Sequence, residues 1–262
     1  MTPQPVTGTP LADPRGENAR PGLFITFEGG DGVGKTTQIG LLAERLRQEG
    51  CAVVTTREPG GTPLGQEIRQ LLLHGGEVSP HAEALLYAAD RAHHVDTVIR
   101  PALGRGAVVV CDRYLDSSVA YQGAARALGP KEVRDLSLWA TGGLLPDLTI
   151  LLDVDPGLAG RRTKQRGAKD RLEREPDSFH IALREQFLAL AAAEPQRVFL
   201  VDAGQSIAEV AAEVNRLVAA LLKAKGGGVC REAGTTAGVL QAFAYAAARI
   251  SPGEVSTSAG RP

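Results

Sequence analysis

Four residues in the first part of the chain have the types and the spacing of a phosphate-binding loop. They are Gly29, Gly34, Lys35 and Thr36, which match the pattern G-x-x-x-x-G-K-[ST]. Glycines let the backbone turn its N–H groups inward around phosphate oxygens, and the positive end of a following helix adds to this attraction. Lys35 would place a positive charge on the transferred phosphate, and the Thr36 hydroxyl would bind Mg²⁺. The predicted ATP-binding loop comprises Gly29, Gly30, Asp31, Gly32, Val33, Gly34, Lys35 and Thr36.

A second pair of chemically capable residues, Asp112 and Arg113, follows the apolar run at 107–111. A carboxylate at the end of a buried strand can reach Mg²⁺ through water in enzymes with this loop. A guanidinium offers paired donors to a phosphate, which lysine cannot copy. We therefore expect Thr36 and Asp112 to hold the metal. Arg113 is expected either to bind a phosphate or to pair with a neighbouring carboxylate.

Two helical segments each place an aromatic residue one turn from a polar residue. Tyr87 and Arg91 are four residues apart and share a helix face, as do Ser118 and Tyr121 at a spacing of three. An aromatic face could hold a planar base by stacking while the arginine binds its edge. The alternative interpretation, which is the commoner one for such pairs, is a core aromatic beside a surface arginine.

The segment 161–171, called the lid here, carries almost only positive charge. A basic run of this kind is usually a solvated helix face. Here it follows a predicted strand on the side of the sheet that carries the phosphate loop, where cations would stabilise the charge that develops during phosphoryl transfer. We favour the lid interpretation, with Arg166, Arg162 and Lys164 as candidate catalytic residues in that order.

Strands alternate with helices along the chain, which predicts a parallel sheet covered on both faces. Ligands of such sheets bind at the carboxyl ends of the strands, where Glu28, Arg57, Asp112 and Asp153 stand. The predicted strands are residues 23–27, 52–56, 107–111, 148–154 and 197–201. The predicted helices are residues 39–46, 64–73, 82–103 (as one or two helices), 131–141 and 207–223, with a short helix start at 116–118 and a long helix after the lid.

Composition limits the classes of partner. The chain has 29 Lys and Arg against 30 Asp and Glu, so no chain-wide nucleic-acid or membrane surface is predicted. The three cysteines are widely spaced without a C-x-x-C pair, which argues against a zinc site or a disulfide framework and favours a reducing, cytoplasmic location. We expect a disordered leader at 1–21, one domain at 22–224 and a low-complexity tail at 225–262.

On the basis of these residues, the chain resembles the thymidylate kinase family over roughly residues 23–222. The motifs that carry the resemblance are Gly-Gly-Asp-Gly-Val-Gly-Lys-Thr at 29–36, Thr-Arg-Glu-Pro-Gly-Gly-Thr at 56–62, Asp-Arg-Tyr-Leu-Asp-Ser-Ser-Val-Ala-Tyr-Gln-Gly at 112–123 and Asp-Arg-Leu-Glu at 170–173. The resemblance implies a P-loop NTPase of the nucleoside monophosphate kinase-like type, an α/β fold with a five-stranded parallel sheet, helices on both faces and a basic lid. It implies ATP-dependent phosphorylation of dTMP with Mg²⁺ by a homodimer.

The resemblance also implies roles for individual residues. Asp31 would contact the sugar of dTMP, Arg113 its phosphate, and Arg57 the phosphate or sugar. Tyr87 would stack on thymine, Arg91 would bind the edge of the base with help from Ser118 or Gln122, and Tyr121 would crowd the 2′ position. Because the loop contains no arginine and the lid contains several, the chain is similar to the bacterial members whose catalytic arginine lies in the lid.

Two other functions are compatible with the loop alone. One keeps the fold and changes the acceptor to another nucleoside monophosphate or a nucleoside. The other is a GTPase-type switch, which would need an N/T-K-x-D motif; the nearest string, Thr163-Lys164-Gln165-Arg166, has arginine in place of the aspartate.

Overall fold

The computed structural model describes residues 22–164 and 170–225. The predicted leader, most of the predicted tail and Arg166 lie outside the described residues. The strands are β1 (Leu23–Glu28), β2 (Val53–Arg57), β3 (Val108–Asp112), β4 (Leu148–Asp153) and β5 (Val198–Asp202). The helices are α1 (Lys35–Gln48), α2 (Pro63–His74), α3 (Pro80–His94), α4 (Arg100–Gly104), α5 (Leu115–Ser118), α6 (Pro130–Thr141), α7 (Pro156–Lys164), α8 (Asp177–Ala193) and α9 (Ile207–Ala224).

The five strands form one parallel sheet in the order β2-β3-β1-β4-β5. β1 is therefore central, and the loop that follows it opens between the ends of β3 and β4. Phe27 is in register with Asp112, which is in register with Arg57 on β2. This register brings the polar ends of three strands to one edge of the sheet and confirms the predicted fold class.

Apolar side chains fill the space on both faces of the sheet. On one face Ile25 and Phe27 of β1 pack with Leu42 of α1 and Val218 of α9. On the other face Phe24 packs in a cluster with residues of α2, α3 and α8. All five predicted strands lie within one residue of the observed bounds. Strands buried on both faces, as β1, β3 and β4 are, read as continuous apolar runs.

Several helices begin where their sequence signals are strongest. The Thr62 side chain accepts a hydrogen bond from the backbone N–H of Gly65, and Pro63 occupies the first turn of α2. Ser206 and Glu209 form a reciprocal capping box at α9. These local interactions fix the helix starts independently of packing.

The long helical segment predicted at 82–103 is interrupted. It consists of α3, a π-helical turn at Val95–Ile99 and α4. A second π-helical turn, Val119–Ala125, extends the short α5. Such turns shift the helix register by one residue and are frequent at functional sites.

Of the cysteines, Cys111 on β3 is free and buried. Within residues 22–164 and 170–225, no helix combines the length and the apolar character that crossing a bilayer requires.

Candidate active site

The loop between β1 and α1 is shaped for phosphate. Gly29 and Gly34 have left-handed backbone angles, with φ of 125° and 102°, and a Cβ on Gly29 would lie 2.2 Å from the Leu152 carbonyl oxygen. Only glycine fits this position without displacing β4. The backbone N–H groups at the start of α1 have no intrahelical partner, so the loop forms a cradle for an anion.

Lys35 lies folded into this loop. Its Nζ donates hydrogen bonds to the carbonyl oxygens of Gly29 at 3.0 Å and Gly30 at 2.7 Å. Burial and the positive charge of Arg113 lower the pKa of Lys35 to about 8. An incoming phosphate would supply negative charge that restores the pKa and draws the ammonium group away from the carbonyl oxygens.

Arg113 lies beside the loop in an ion pair with the loop acid. Its Nη2 donates to Asp31 Oδ1 at 2.6 Å, and its Nη1 donates to the Gly29 carbonyl oxygen at 3.0 Å. The other carboxylate oxygen of Asp31 accepts from the Tyr121 hydroxyl at 3.1 Å. Burial opposes the charged carboxylate, yet the charges of Arg113 and Lys35 outweigh it and lower the pKa of Asp31 to about 2. Arg113 has φ of 68°, a left-handed conformation that is uncommon outside glycine and marks a functional position.

Thr36 and Asp112 face each other at the mouth of the loop. The Thr36 hydroxyl donates to Asp112 Oδ2 at 3.4 Å. The other oxygen, Oδ1, is buried and has no hydrogen-bond partner within the described part of the chain. A buried carboxylate oxygen without a donor is costly unless a cation or water binds it. This oxygen set fits Mg²⁺, which takes one or two protein ligands together with waters and phosphate oxygens.

A cavity next to the loop, called the central cavity here, collects most of the residues predicted to bind the acceptor. Seven of the eight line it: Asp31, Tyr87, Arg91, Arg113, Ser118, Tyr121 and Gln122. They come from the loop, from α3 and from the segment after β3, which the register of β1 and β3 brings together. With Tyr114 and Arg69, which also line it, the walls combine three tyrosines with three arginines, as a planar anionic ligand requires.

Almost all of the hydrogen-bond donors of Arg91 are used by other groups of the protein. Only 1% of it is exposed, and it donates to Glu58 Oε2 at 2.7 Å and to Ser137 Oγ at 3.1 Å. Its Nη2 donates to the Tyr114 carbonyl oxygen and to Ser118 Oγ at 3.1 and 3.0 Å. Four of the five guanidinium N–H groups are thus used. One N–H on Nη1 has no partner among the described residues, and Arg91 lines the central cavity.

Behind Arg91 lies a buried chain of polar side chains, made of Glu58, His94 and Thr56. Glu58 bridges Arg91 and His94, whose Nδ1 lies 2.9 Å from Glu58 Oε1. His94 Nε2 in turn shares a hydrogen bond of 2.6 Å with the Thr56 hydroxyl. Within the motif at 56–62, the buried Glu58 lies beneath Arg91, while Arg57 is exposed at the end of β2 and does not line the central cavity.

Two other strand-end carboxylates have structural partners. Glu28 is fully buried and accepts from the backbone N–H of Tyr114 at 2.7 Å and from Ser117 Oγ at 2.5 Å. Burial and the charge of Asp116 raise the pKa of Glu28 to about 7. Asp153 is held by Arg184, with both oxygens accepting at 2.7 Å. Among the four strand-end residues, Asp112 is the one whose geometry leaves an oxygen open.

The lid is only partly described. Arg162 donates from Nη1 to the Ala203 carbonyl oxygen at 3.1 Å, so the start of the lid contacts the turn after β5. Arg166 and the side chain of Lys164 lie outside the described residues. A second cavity lies under this segment and is bounded by the phosphate loop, the end of β4, α7 and α8. Asp31 lines both cavities, which places them end to end.

Some wall residues were assigned no role in the site from the sequence. Arg69 and Leu73 of α2 line the central cavity, together with Asp170 and Leu172 of the motif at 170–173. Arg69 resembles an ordinary surface charge of an amphipathic helix, but its Nη1 donates to the Pro59 carbonyl oxygen at 3.0 Å. Burial and the nearby charge of Arg57 lower the pKa of Arg69. Its position depends on the fold of the loop at 57–62, which no helical pattern reveals.

Comparisons with known proteins agree with this geometry. The family model for thymidylate kinase matches residues 27–214. The chain is 61% identical to a thymidylate kinase of Clavibacter sepedonicus over 205 residues, which are 78% of this chain and 97% of that relative. It is 64% identical to a thymidylate kinase of Leifsonia xyli over 197 residues, 74% of this chain and 93% of that relative. The fold is similar to the crystal structure of thymidylate kinase from Ehrlichia chaffeensis, with a TM-score of 0.63, 33% identity, and coverage of 76% and 99% of the two chains.

Proposed function

The chain belongs to the thymidylate kinase family and phosphorylates dTMP in dTTP synthesis; we propose that the central cavity holds dTMP and that the loop at 29–36 holds the phosphates of ATP. The two cavities adjoin at Asp31, so that an acceptor phosphate in one would face a donor phosphate in the other. The single observation that supports this arrangement most is the cluster of Asp31, Arg113 and Tyr121 beside Lys35.

The acceptor is bound by charge at one end of the cavity and by an aromatic ring at the other. Arg113 binds the phosphate of dTMP with donors that Asp31 holds in orientation. Tyr87 stacks on the base, and the remaining N–H of Arg91 binds its edge with help from Ser118 or Gln122.

Tyr121 is fixed by its hydrogen bond to Asp31 and by edge contacts with Phe179 and Phe187. It crowds the 2′ position and so favours deoxyribose. Arg57 stands further out and would contact the acceptor only if β2 or its loop moved.

Transfer proceeds by in-line attack of an acceptor phosphate oxygen on the γ-phosphorus of ATP. The bond from the γ-phosphorus to the bridging oxygen breaks, and ADP leaves with that electron pair. The acceptor oxygen is already anionic, so this step needs no protein base, and positioning and charge stabilisation supply most of the acceleration. The Lys35 ammonium group stays close to the transferred phosphoryl group and stabilises its charge. It can leave the carbonyl oxygens that hold it in this structure, because they bind an ammonium group more weakly than phosphate does.

Thr36 and Asp112 are the residues that would hold Mg²⁺. The orphaned Oδ1 of Asp112 and the adjacent hydroxyl fit an ion that keeps most of its waters. When bound, the ion would screen the charge shared by the β- and γ-phosphates. The lid supplies further positive charge, with Arg166 preferred over Arg162 and Lys164, because Arg162 is engaged with the turn after β5.

We also propose that the protein acts as a homodimer in the cytoplasm. Large apolar side chains on neighbouring helices are exposed: Leu71 of α2 at 56%, Leu85 of α3 at 58% and Trp139 of α6 at 83%. Apolar groups on adjacent helices mark an interface when they form a patch, and α3 packs against both α2 and α6. The segments 1–21 and 226–262 are proposed to be dispensable for catalysis.

The experiment that tests the proposal is a comparison of acceptors with the purified full chain. Turnover is measured with ATP and Mg²⁺ for dTMP, dUMP, UMP, CMP and AMP, and then with GTP in place of ATP. We expect dTMP to be the best acceptor by a clear margin and ATP to be used at least as well as GTP. A better rate with another monophosphate would contradict the proposed placement of the thymine base beside Arg91.

A further inference from the structure

Glu83, on the first turn of α3, is a fully buried carboxylate with partners from three directions. It is 0% exposed. Its Oε1 accepts a hydrogen bond from Gln122 Nε2 at 2.8 Å and a longer one from Arg126 Nε at 3.4 Å. Its Oε2 accepts from Arg171 Nη2. Glu83 therefore joins α3, the π-helical turn after α5 and the C-terminal end of the lid, Arg171.

Each oxygen of this carboxylate accepts a hydrogen bond from an arginine, Oε1 from Arg126 and Oε2 from Arg171. A buried charge is stable only when it is paired and hydrogen-bonded, and Glu83 has two guanidinium partners. An ionised carboxylate accepts hydrogen bonds and cannot donate them. The group facing Glu83 must therefore be a donor.

This requirement fixes the orientation of the Gln122 side-chain amide. The amide can present either its NH₂ group or its oxygen to a neighbour, but only the NH₂ group can face Glu83. Gln122 lines the central cavity beside Tyr87 and Arg91. Its Oε1 accepts no hydrogen bond from any residue within 22–164 and 170–225. The amide oxygen is thus left as an acceptor for a ligand.

We propose that Glu83 is a positioning residue that sets the base specificity of the acceptor site by holding Gln122 with its oxygen toward the base; this rests on the proposed placement of dTMP in the central cavity. The edge of thymine presents the O4 acceptor next to the N3–H donor. The remaining N–H of Arg91 complements O4, and Gln122 Oε1 complements N3–H. Cytosine presents an amino donor and an unprotonated N3 acceptor at these two places, so both contacts would be mismatched. Uracil has the same edge as thymine and is not discriminated by this pair.

The test measures the ratio of kcat/KM for dTMP to kcat/KM for dCMP, with ATP, for the full chain and its variants. In Glu83→Gln the new amide can donate to Gln122 Oε1, so that Gln122 can turn and present its NH₂ group to the base. We expect the ratio to fall by about tenfold, the change that about 1.4 kcal/mol of lost discrimination produces. In Gln122→Ala we expect a similar fall. In the double variant we expect no further fall, because the two residues act through one contact.

The matched control is Glu175→Gln, which removes another carboxylate paired with Arg126, at 2.7 Å, without touching Gln122. We expect it to keep the wild-type ratio. If Glu83→Gln lowers the rates with both substrates by the same factor, Glu83 is only structural and the inference is overturned. If Gln122→Ala leaves the ratio unchanged, the placement of the base is wrong instead, which is a failure of the proposed function.

Folding of each variant is checked by thermal unfolding. Should Glu83→Gln fail to fold because two arginines lose their charged partner, Glu83→Asp is measured in its place. Asp keeps the negative charge, but its side chain is one methylene shorter, so that its carboxylate lies farther from Gln122. A reduced ratio in Glu83→Asp supports the inference, and a wild-type ratio with a reduced rate overturns it.

Discussion

Arg113 and Asp31 form an ion pair across the gap between the end of β3 and the phosphate-binding loop, with 2.6 Å between Nη2 and Oδ1. The guanidinium also lies 5.1 Å from the centroid of the Tyr121 ring, whose hydroxyl binds the same carboxylate. The three side chains thus hold one another in place before any ligand binds. If Arg113 binds the acceptor phosphate as proposed, it would do so in an orientation fixed in advance, which reduces the entropy lost on binding.

Replacing Arg113 by alanine tests its assigned role. A lost charge-assisted contact with phosphate costs about 2–3 kcal/mol, so we expect kcat/KM for dTMP to fall about 100-fold. The KM for ATP should change far less, because its phosphates lie in the loop. Steady-state kinetics with each substrate varied in turn separates the two effects. Arg105→Ala, an exposed arginine in the turn before β3, is the control, and an unchanged dTMP KM in Arg113→Ala would contradict the assignment.

Asp112→Asn should weaken the use of Mg²⁺ while leaving the fold intact. The amide removes the negative charge beside Thr36 and one of the two oxygens. We expect the Mg²⁺ concentration for half-maximal activity to rise about 10–100-fold, the usual effect of losing a residue that supports a metal. The measurement is a Mg²⁺ titration of the initial rate. Asp202→Asn, at the end of β5, alters a carboxylate whose Oδ1 accepts from the Gly204 backbone N–H, and should leave the titration unchanged.

Arg166→Ala tests the catalytic arginine of the lid. If Arg166 stabilises the transferred group, kcat should fall about 100-fold with little change in the KM for dTMP, since such contacts act mainly in the transition state. Pre-steady-state measurement of the chemical step gives the cleanest value. Arg162→Ala is the companion variant, with a smaller expected effect because Arg162 contacts Ala203. Full activity of Arg166→Ala would remove this residue from the mechanism.

Asp90 predicts a pH dependence of stability. Burial and the charge of Glu58 raise its pKa to about 6 from an ordinary value of 3.8, and its Oδ2 has no partner among the described residues. Between these two pH values the unfolded chain releases this proton while the folded chain keeps it, so the free energy of unfolding falls as pH rises from about 4 to about 6. Asn cannot titrate. The stability of Asp90→Asn relative to wild type should therefore rise over this range by about 2 kcal/mol at most and then level off.

Denaturant unfolding of both proteins at pH 4, 5, 6 and 8 provides the measurement. Gly60 N–H, which donates to Asp90 Oδ1 at 3.3 Å, can donate equally to the oxygen of Asn, so the variant should fold. Parallel pH profiles of the two proteins would show that Asp90 has the same pKa in the folded and unfolded states, which would contradict the prediction.

Leu85→Glu tests the proposed dimer. A charge placed at the centre of an apolar interface should raise the dissociation constant at least about 100-fold, and light scattering during gel filtration would report a monomer. Ile181→Glu is the matched control, since Ile181 is 54% exposed on α8, away from α2, α3 and α6. A wild-type protein that is monomeric at micromolar concentration would itself rule out the proposal.

The sequence predicts the fold and much of the site because both depend on local patterns. The loop at 29–36 is contiguous, and buried parallel strands are contiguous apolar runs, so neither needs knowledge of distant residues. The contacts of Arg91 could not be predicted in this way. Its partners Glu58 and Ser137 are 33 and 46 residues away in the sequence, and their convergence depends on how α3 packs against α6 and the loop after β2. For the same reason the sequence does not reveal Arg69. It resembles a solvated charge on a helix surface unless the position of that loop is known.

The predicted interaction of Arg91 with the base also changes in kind. Edge recognition was expected from an arginine free to point into the cavity, but most of the hydrogen-bonding capacity of Arg91 is used within the protein. A side chain held by four internal contacts cannot adapt to a different base. The selectivity of the site therefore depends on rigidity as well as on complementary groups.

The position of Trp139 has an optical consequence. It is the one tryptophan in the chain and stands in solvent on α6, so ultraviolet excitation at long wavelength yields emission from a single site. Dilution of the protein through its assembly range should shift this emission toward that of free indole if a second copy covers α6. The unmodified chain thus contains a built-in fluorophore for following association without labels.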